Sequence, residues 1–229
     1  MDLFENVKRL REEIAEAAIK SGRAGSDITL VAATKTQKVE DVRAAIAAGV
    51  DACGENRVQE LTEKSAMGAY AGAPIHFIGH LQKNKVRKVV GEVSLIQSVD
   101  SIELLAGIDR VATEREIVQE VLIQVNIGDD INKFGIDAEE VDALLDQIEP
   151  MSHIQVRGLM TIPPILSNSC ETRELFAKMY QVYVDISKKN YHNIRMDFLS
   201  MGMSGDFTDA ILEGANMIRV GSTIFGNRL

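Results

Sequence analysis

Short apolar, β-rich runs alternate with helical stretches along the chain, and eight strands are predicted if the second and fourth runs are included because the spacing demands them. The runs lie at residues 28–35, 52–56, 75–79, 95–99, 121–126, 154–160, 196–201 and 217–221. Some of them, such as LVAAT and VLIQV, are almost continuously apolar, which is typical of strands that helices cover on both faces. Strands that alternate with helices pair in parallel, and eight of them favour a closed barrel over an open sheet. The sequence therefore predicts an α/β fold, a (β/α)8 TIM barrel.

The helical stretches between these runs fit the same plan. We predict helices over residues 39–48, 57–67, 82–90, 101–115, 138–148, 172–189 and 207–213. About eight residues remain after the last strand, so the helix that would normally follow it is missing. An amphipathic, charged helix over residues 3–20 precedes the first strand and could cover that gap. There is no linker or break in composition, so we expect a single domain over residues 1–229.

Composition excludes several classes of protein. A net charge of −9 argues against general nucleic-acid binding, because phosphate backbones need a basic face. No apolar run approaches the roughly 20 residues that span a bilayer, and the N-terminus does not resemble a signal peptide. We therefore expect a cytoplasmic protein without membrane contact. Cys53 and Cys170 have no metal-type spacing, and Cys53 lies in an apolar run, so it is expected to be a buried thiol and no metal site is predicted.

Polar residues and glycines cluster where the predicted strands end, which is where barrels of this kind place their chemistry. Lys35 ends the first run, in Thr34-Lys35-Thr36. Most lysines are solvated surface residues, but burial in a partly dry rim disfavours the ammonium form. The neutral amine is the form that condenses with an aldehyde to give an imine. Lys35 is therefore the candidate nucleophile.

The loops after the seventh and eighth strands contain a second group of candidate binding residues. Gly202, Ser204 and Gly205 precede a helix, and Gly221 and Ser222 end the last strand. Glycine lets the backbone approach an oxyanion closely, and serine adds a hydroxyl donor. Each loop alone could be an ordinary turn. Two such loops, after the two strands where barrels often bind phosphate, predict a phosphate site.

An arginine completes the set. Arg219 lies two residues before the last glycine, so strand alternation places both on one face. A reactive lysine, an arginine and a phosphate site on one rim suggest pyridoxal 5′-phosphate (PLP). An arginine near the pyridine nitrogen would keep that nitrogen unprotonated and weaken the ring as an electron sink. Such a site favours holding the cofactor over broad carbanion chemistry.

At these residues the sequence resembles the YggS/PROSC family of pyridoxal phosphate homeostasis proteins. The matching segments, in order from residue 30 to 226, are LVAATKTQ, GENRVQE, HFIGHLQKNK, IQSVDS, VLIQVNIGDDINKFG, VRGLMTIPP, FLSMGMSGD and MIRVGSTIFG. This family is similar in fold to the barrel domain of alanine racemase, the fold type III PLP proteins. The resemblance implies a protein that acts in vitamin B6 homeostasis, with PLP-dependent apo-enzymes as possible recipients of the cofactor.

The resemblance also implies roles for individual residues. Lys35 would form the imine, Arg219 would face the pyridine nitrogen, and the phosphate would lie against Ser204, Gly221 and Ser222. Four further motif positions fall near the cofactor in the family, with less defined roles: Asn56, His80, Met160 and Ser200.

Three functions remain open at this stage: a PLP carrier without appreciable turnover, a PLP-dependent amino-acid racemase, and a barrel without cofactor. Racemisation needs two bases, one on each face of the imine. Racemases of this fold use a lysine and a tyrosine from a second domain of a partner subunit. All four tyrosines here fall in predicted helices or helix-side loops, and His80 is expected to be a hydrogen-bonding rim residue rather than a base. The carrier is therefore the favoured hypothesis. Because the second domain that makes the usual dimer contact is missing, we expect a monomer.

Overall fold

Eight parallel strands close into one barrel in a computed structural model that describes residues 2–128, 130, 133–164 and 169–226. Each strand pairs with the next along the chain, and the last pairs with the first. The strands are β1 (Thr29–Ala33), β2 (Ala52–Glu55), β3 (Ile75–Phe77), β4 (Leu95–Val99), β5 (Gln119–Val125), β6 (Ile154–Thr161), β7 (Ile194–Ser200) and β8 (Met217–Val220). The predicted (β/α)8 barrel is confirmed, with every strand in its expected place.

Helices follow the strands, as the alternation predicted. The α-helices are α1 (Leu3–Lys20), α2 (Val39–Ala47), α3 (Val58–Ala66), α4 (Ile102–Glu114), α5 (Val141–Ile148), α6 (Ser169–Ser187), α7 (Phe207–Leu212) and α8 (Ser222–Phe225). Short 3-10 helices occupy Gly25–Asp27, Lys83–Lys88 and Ala138–Glu140. Among the described residues, no helix combines the length and the apolar character that crossing a bilayer would require.

One predicted helix has a different geometry. The stretch 82–90, after β3, forms a 3-10 helix over Lys83–Lys88 instead of an α-helix. The buried valines of this stretch, Val86, Val89 and Val90, are spaced i, i+3 and i+4, which would also suit an α-helical face. Of the three, only Val86 lies within Lys83–Lys88, so the 3-10 helix itself has no apolar face that repeats along its length.

The N-terminal helix takes the place of the missing eighth helix, as predicted. Among the described residues after β8, the one helix is the four-residue α8, and α1 packs against α7 and α8. Asn6 in α1 donates its amide to the carbonyl oxygen of Ile224 at 2.9 Å. Arg23, which follows α1, donates to the carbonyl of Ala215 at 2.8 Å and to that of Ile211. These contacts attach α1 to the segment that carries β8.

Two apolar layers hold the barrel together. The larger lies between the strands and the helices, and the smaller fills the barrel interior. The interior layer consists of Val31, Ala52, Leu95, Leu122, Met160 and Met217. Because side chains alternate across a strand, the residues that follow these along each strand point outward, and the next inward ones approach the carboxyl ends of the strands.

Candidate functional site

A cavity of about 690 Å³ lies at the carboxyl ends of the strands. Six of the nine residues that the sequence singled out line it, and we call it the Lys35 cavity. They are Lys35, Asn56, Ser204, Arg219, Gly221 and Ser222. These residues come from four different strand ends, and closure of the barrel brings them around one space.

Lys35 lies in a tight turn just beyond β1, which ends at Ala33. Its side chain is half-buried at the cavity wall. The amide of Thr34 donates to the carbonyl of Gly54 at 2.9 Å, so the β1–β2 pairing continues up to the lysine. Thr36 then adopts φ +62°, in the left-handed region that a β-branched residue rarely enters. The direction of the Lys35 backbone is thus set by a strained turn that other contacts must maintain.

The opposite side of the cavity is built by the loops after β7 and β8. Ser204 Oγ accepts the backbone amides of Gly221 at 3.2 Å and Thr223 at 3.5 Å. Gly202, at the start of the first loop, has φ +93°, and a Cβ atom there would lie 2.6 Å from the Cβ of Ala210. Only glycine fits this position without strain. The two loops therefore converge on the Ser204 hydroxyl, and Ser204, Gly221 and Ser222 all line the cavity.

Arg219 forms the inner wall of the cavity and is only 4% exposed. Its Nη1 donates to Ser200 Oγ at 2.5 Å, and its Nη2 donates to the carbonyl of Thr161 at 2.8 Å. Burial lowers the pKa of Arg219 to about 10, and the Asp206 carboxylate opposes that change. The guanidinium therefore stays charged at neutral pH. No carboxylate among the described residues lies within 4.0 Å of the guanidinium, so Arg219 forms no ion pair within that part of the chain.

A buried chain of hydrogen bonds continues from Arg219 across the barrel. Ser200 Oγ donates to Gln97 Oε1 at 2.7 Å, and Gln97 Nε2 lies 2.9 Å from His76 Nδ1. Burial lowers the pKa of His76 to about 4, so its ring is neutral at neutral pH. The Gln97 amide then donates to an unprotonated Nδ1, and the ring proton lies on Nε2. We call the series Arg219–Ser200–Gln97–His76 the interior chain.

Asn56 presents an unused acceptor to the cavity. Its Oδ1 atom is buried and has no hydrogen-bond partner among the described residues. A Cβ atom at Gly79, in the next strand-end loop, would lie 2.2 Å from the carbonyl oxygen of Asn56, so the two loops are in close contact. Buried acceptors without partners are rare in folded proteins. Among the described residues, Glu55 Oε2 and Asn193 Oδ1 share this property, and of the three residues only Asn56 lines the Lys35 cavity.

Three of the predicted residues lie outside the lining of the Lys35 cavity. Met160 belongs to the apolar layer inside the barrel, and Ser200 is fully buried behind Arg219. His80 lines a neighbouring cavity of about 540 Å³ that shares Asn56 with the first. Its ring stacks on Phe134 with centroids 3.8 Å apart, and its Nδ1 lies 3.2 Å from Asp100 Oδ2. The hydrogen-bonding role expected for His80 matches these contacts.

Several residues around the cavity had no signal that we recognised in the sequence. Ile78, Ile162 and Met203 add apolar surface to its wall. Gln97 and His76 support Arg219 from strands 122 and 143 positions earlier in the chain. Gln97 falls inside the motif IQSVDS, so that motif was the available signal. Within the described ranges, no cluster of His, Cys, Asp and Glu could hold a metal ion, and Cys53 is buried as expected.

Comparisons with known proteins agree with this geometry. The alanine racemase N-terminal domain matches residues 5–228. A pyridoxal phosphate homeostasis protein of Aquifex aeolicus is 38% identical over 228 residues, which cover 100% of this chain and 99% of the relative. The counterpart in Escherichia coli K12 is 34% identical over 231 residues, covering 99% and 97%. The structure of PipY from Synechococcus elongatus with PLP bound is similar at a TM-score of 0.80, with 35% identity over 93% of this chain and 100% of PipY.

Proposed function

Because this chain belongs to the pyridoxal phosphate homeostasis protein family, we propose that it holds PLP as an imine on Lys35 and serves intracellular PLP homeostasis. A relative with 35% identity, PipY, has been seen with PLP bound. The observation that carries the proposal is the Lys35 cavity. It combines one amine, a buried arginine and a loop pair rich in N–H and hydroxyl donors. We propose that the chain does this as a single domain over residues 1–229.

The amine and the phosphate site would act together. The Lys35 amine condenses with the aldehyde of PLP, forming one C=N bond and releasing one water. The phosphate would lie against Ser204, Gly221 and Ser222, whose N–H and hydroxyl groups suit a dianion. Asn56 Oδ1 would accept a donor of the cofactor or of an ordered water. All of these groups line the same space, so one molecule can reach them together.

Arg219 would tune the cofactor. A guanidinium at the inner wall would donate a hydrogen bond to the pyridine nitrogen and would leave that nitrogen without a proton of its own. PLP supplies an electron sink when its ring nitrogen is protonated, and this contact weakens that ability. His80, Met160 and Ser200 would act around the site: His80 at the adjoining rim, Met160 as apolar floor, and Ser200 as the hydrogen-bond partner that orients Arg219.

The lining also favours a carrier over a racemase. Among the described residues, the Lys35 cavity contains no carboxylate, histidine, tyrosine or cysteine that could serve as a second base. The four tyrosines are directed elsewhere: Tyr70 donates to Glu55, Tyr183 to a backbone carbonyl and Tyr191 to Asp146, while the ring of Tyr180 stacks with that of Tyr183. We therefore propose binding without appreciable turnover. Delivery to PLP-dependent apo-enzymes, a monomeric state and a cytoplasmic location stay predictions from the sequence.

Borohydride reduction followed by peptide mass spectrometry tests the proposal. Reduction of the protein with PLP should place the pyridoxyl adduct on Lys35, and Lys35→Ala should abolish both the adduct and the visible absorbance of the imine. Lys38→Ala is the matched control, because Lys38 lies three residues away and does not line the Lys35 cavity. An adduct on another residue would refute the site. Racemisation of alanine that disappears with Lys35→Ala would refute the carrier.

A further inference from the structure

Three charged side chains outside the barrel hold the turn that carries Lys35. They are Glu55 at the end of β2 and Glu60 and Lys64 in α3, and we call them the Lys35 clamp. None of the three lines the Lys35 cavity. Their side chains are shielded from solvent, with 0% of Glu55, 18% of Glu60 and 9% of Lys64 exposed. Charged groups are seldom this buried without a specific arrangement of partners.

On one side of the lysine, the clamp holds Thr34. Lys64 Nζ donates to the carbonyl oxygen of Thr34 at 2.6 Å and to Glu55 Oε1 at 2.7 Å. The hydroxyl of Thr34 donates to the same carboxylate oxygen at 2.6 Å, and Tyr70 adds a third donor at 3.1 Å. The negative charge of Glu55, together with burial, raises the pKa of Tyr70, so its hydroxyl stays a donor. Both the side chain and the carbonyl before Lys35 are thereby fixed.

On the other side, the clamp holds Thr36. Glu60 Oε2 accepts the backbone amide of Thr36 at 2.5 Å and lies 3.6 Å from Lys64 Nζ. Thr36 is the residue at φ +62°. Such a conformation in a threonine persists only where the surroundings impose it, and the bond to Glu60 does so. Lys35 thus lies between two residues that are both hydrogen-bonded to one buried ionic cluster.

We propose that the Lys35 clamp, through Glu60 above all, positions Lys35 for condensation with the aldehyde of PLP. This inference rests on the proposed function. Its physical basis is that misplacing a reacting group by a fraction of an ångström slows bond formation steeply, while binding of the rest of the ligand is unaffected. Glu55, Glu60 and Lys64 are positioning residues in this sense, because they act on the backbone around Lys35 and not on the cofactor.

Replacements of Glu60 separate the effect of its side-chain length from the effect of its charge. Glu60→Gln keeps an oxygen that can accept the Thr36 amide and loses the charge. Glu60→Asp keeps the charge, but its side chain is one methylene shorter. Its carboxylate therefore cannot reach the Thr36 amide, which lies 2.5 Å from Glu60 Oε2 in the wild type. We expect the imine to form on the order of tenfold more slowly in Glu60→Asp and Glu60→Ala, and at nearly the wild-type rate in Glu60→Gln. Glu63→Ala is the matched control, because Glu63 lies in the same helix, is exposed and contacts Gln59.

Two measurements make this result specific. The rate is followed by visible absorbance after mixing cofactor-free protein with PLP. The affinity for pyridoxamine 5′-phosphate, which has the phosphate but no aldehyde, is measured in parallel and should stay unchanged in every variant. Slow condensation with intact affinity supports positioning. Equal rates in Glu60→Asp and wild type would overturn it, as would a parallel loss of affinity, which is what a merely structural role predicts.

The same experiment distinguishes this inference from the proposed function. Should wild-type protein give no adduct on Lys35, the proposed function fails and the clamp has no such role. Should wild-type protein form the adduct and Glu60→Asp form it equally fast, only the positioning role fails. If Glu60→Ala does not fold, the pair Glu60→Asp and Glu60→Gln still decides the question, since each retains a polar side chain of similar size at this position.

Discussion

Replacing Lys64 with methionine should destabilise the fold by about 3–5 kcal/mol, because it leaves a buried carboxylate without its cation. Lys64 Nζ and Glu55 Oε1 are 2.7 Å apart, and both side chains are almost fully shielded from solvent. Methionine retains most of the aliphatic stem, so little packing is lost. What disappears is the bond to Glu55, the bond to the carbonyl of Thr34 and the 3.6 Å ion pair with Glu60. Glu55 and the Thr34 carbonyl cannot easily reach water. The loss is therefore electrostatic in origin.

The prediction is measured as the free energy of unfolding in urea, followed by circular dichroism on cofactor-free protein. For a chain of this length, a loss of this size lowers Tm by about 6–20 °C. Adding Glu55→Gln to Lys64→Met should recover most of the loss, since a neutral amide oxygen still accepts from Thr34 and Tyr70. Lys88→Met is the control, because Lys88 is exposed and has no carboxylate within 4.0 Å in the described part of the chain.

Two results would refute this reasoning. If Lys64→Met unfolds with a free energy within about 1 kcal/mol of wild type, then the pair is not electrostatically isolated from water. If the double variant is no more stable than Lys64→Met alone, then the loss comes from packing and not from an uncompensated charge. Either outcome would also weaken the argument that Glu55 and Lys64 hold the turn at Lys35.

Two further predictions concern the loops and the interior chain. Gly202→Ala should cost about 1–3 kcal/mol in thermal unfolding, since the left-handed φ and the contact with Ala210 both oppose a Cβ, whereas Gly205→Ala, where a Cβ meets nothing within 4 Å, should be almost neutral. His76 has a pKa of about 4 in the folded protein and about 6.5 when unfolded. Between these values the unfolded chain binds more protons, so stability falls as the pH drops from about 6.5 to 4, by about 3 kcal/mol in total. His76→Gln should flatten this part of the stability profile, and an unchanged slope would exclude His76 as its source.

The sequence was most informative where structure is local. The strand end Thr34-Lys35-Thr36 is recognisable because polar residues follow an apolar run, and the loop from Gly202 to Asp206 because glycine and serine favour turns. Strand periodicity then placed these segments on one rim. The 3-10 geometry of Lys83–Lys88 was missed, because the spacing of Val86, Val89 and Val90 fits an α-helical face as well.

The supporting contacts were not predictable in the same way. Arg219 meets Thr161 across 58 positions, and Ser200 meets Gln97 across 103. Strand order alone does not determine which inward side chains lie at the same level of the barrel. Their level depends on the stagger of the hydrogen-bond register between neighbouring strands. Lys64 gave no signal either, since a lysine in a charged helix is ordinarily solvated. Only its burial against Glu55 reveals that it faces the barrel.

The two networks act on opposite ends of the Lys35 cavity. The Lys35 clamp fixes the turn that carries the amine from outside the barrel, and the interior chain fixes Arg219 from within. The Lys35 clamp and the interior chain both consist of protein groups alone, so the site needs little ordering when a ligand binds. The free energy of contacts to the phosphate and ring of the ligand can then contribute to affinity. Under the proposed function, a site that combines one amine with an arginine at the ring nitrogen, and no second base among its described lining residues, would retain the cofactor better than it would move protons. The features proposed to hold PLP would then be the same ones that disfavour racemisation.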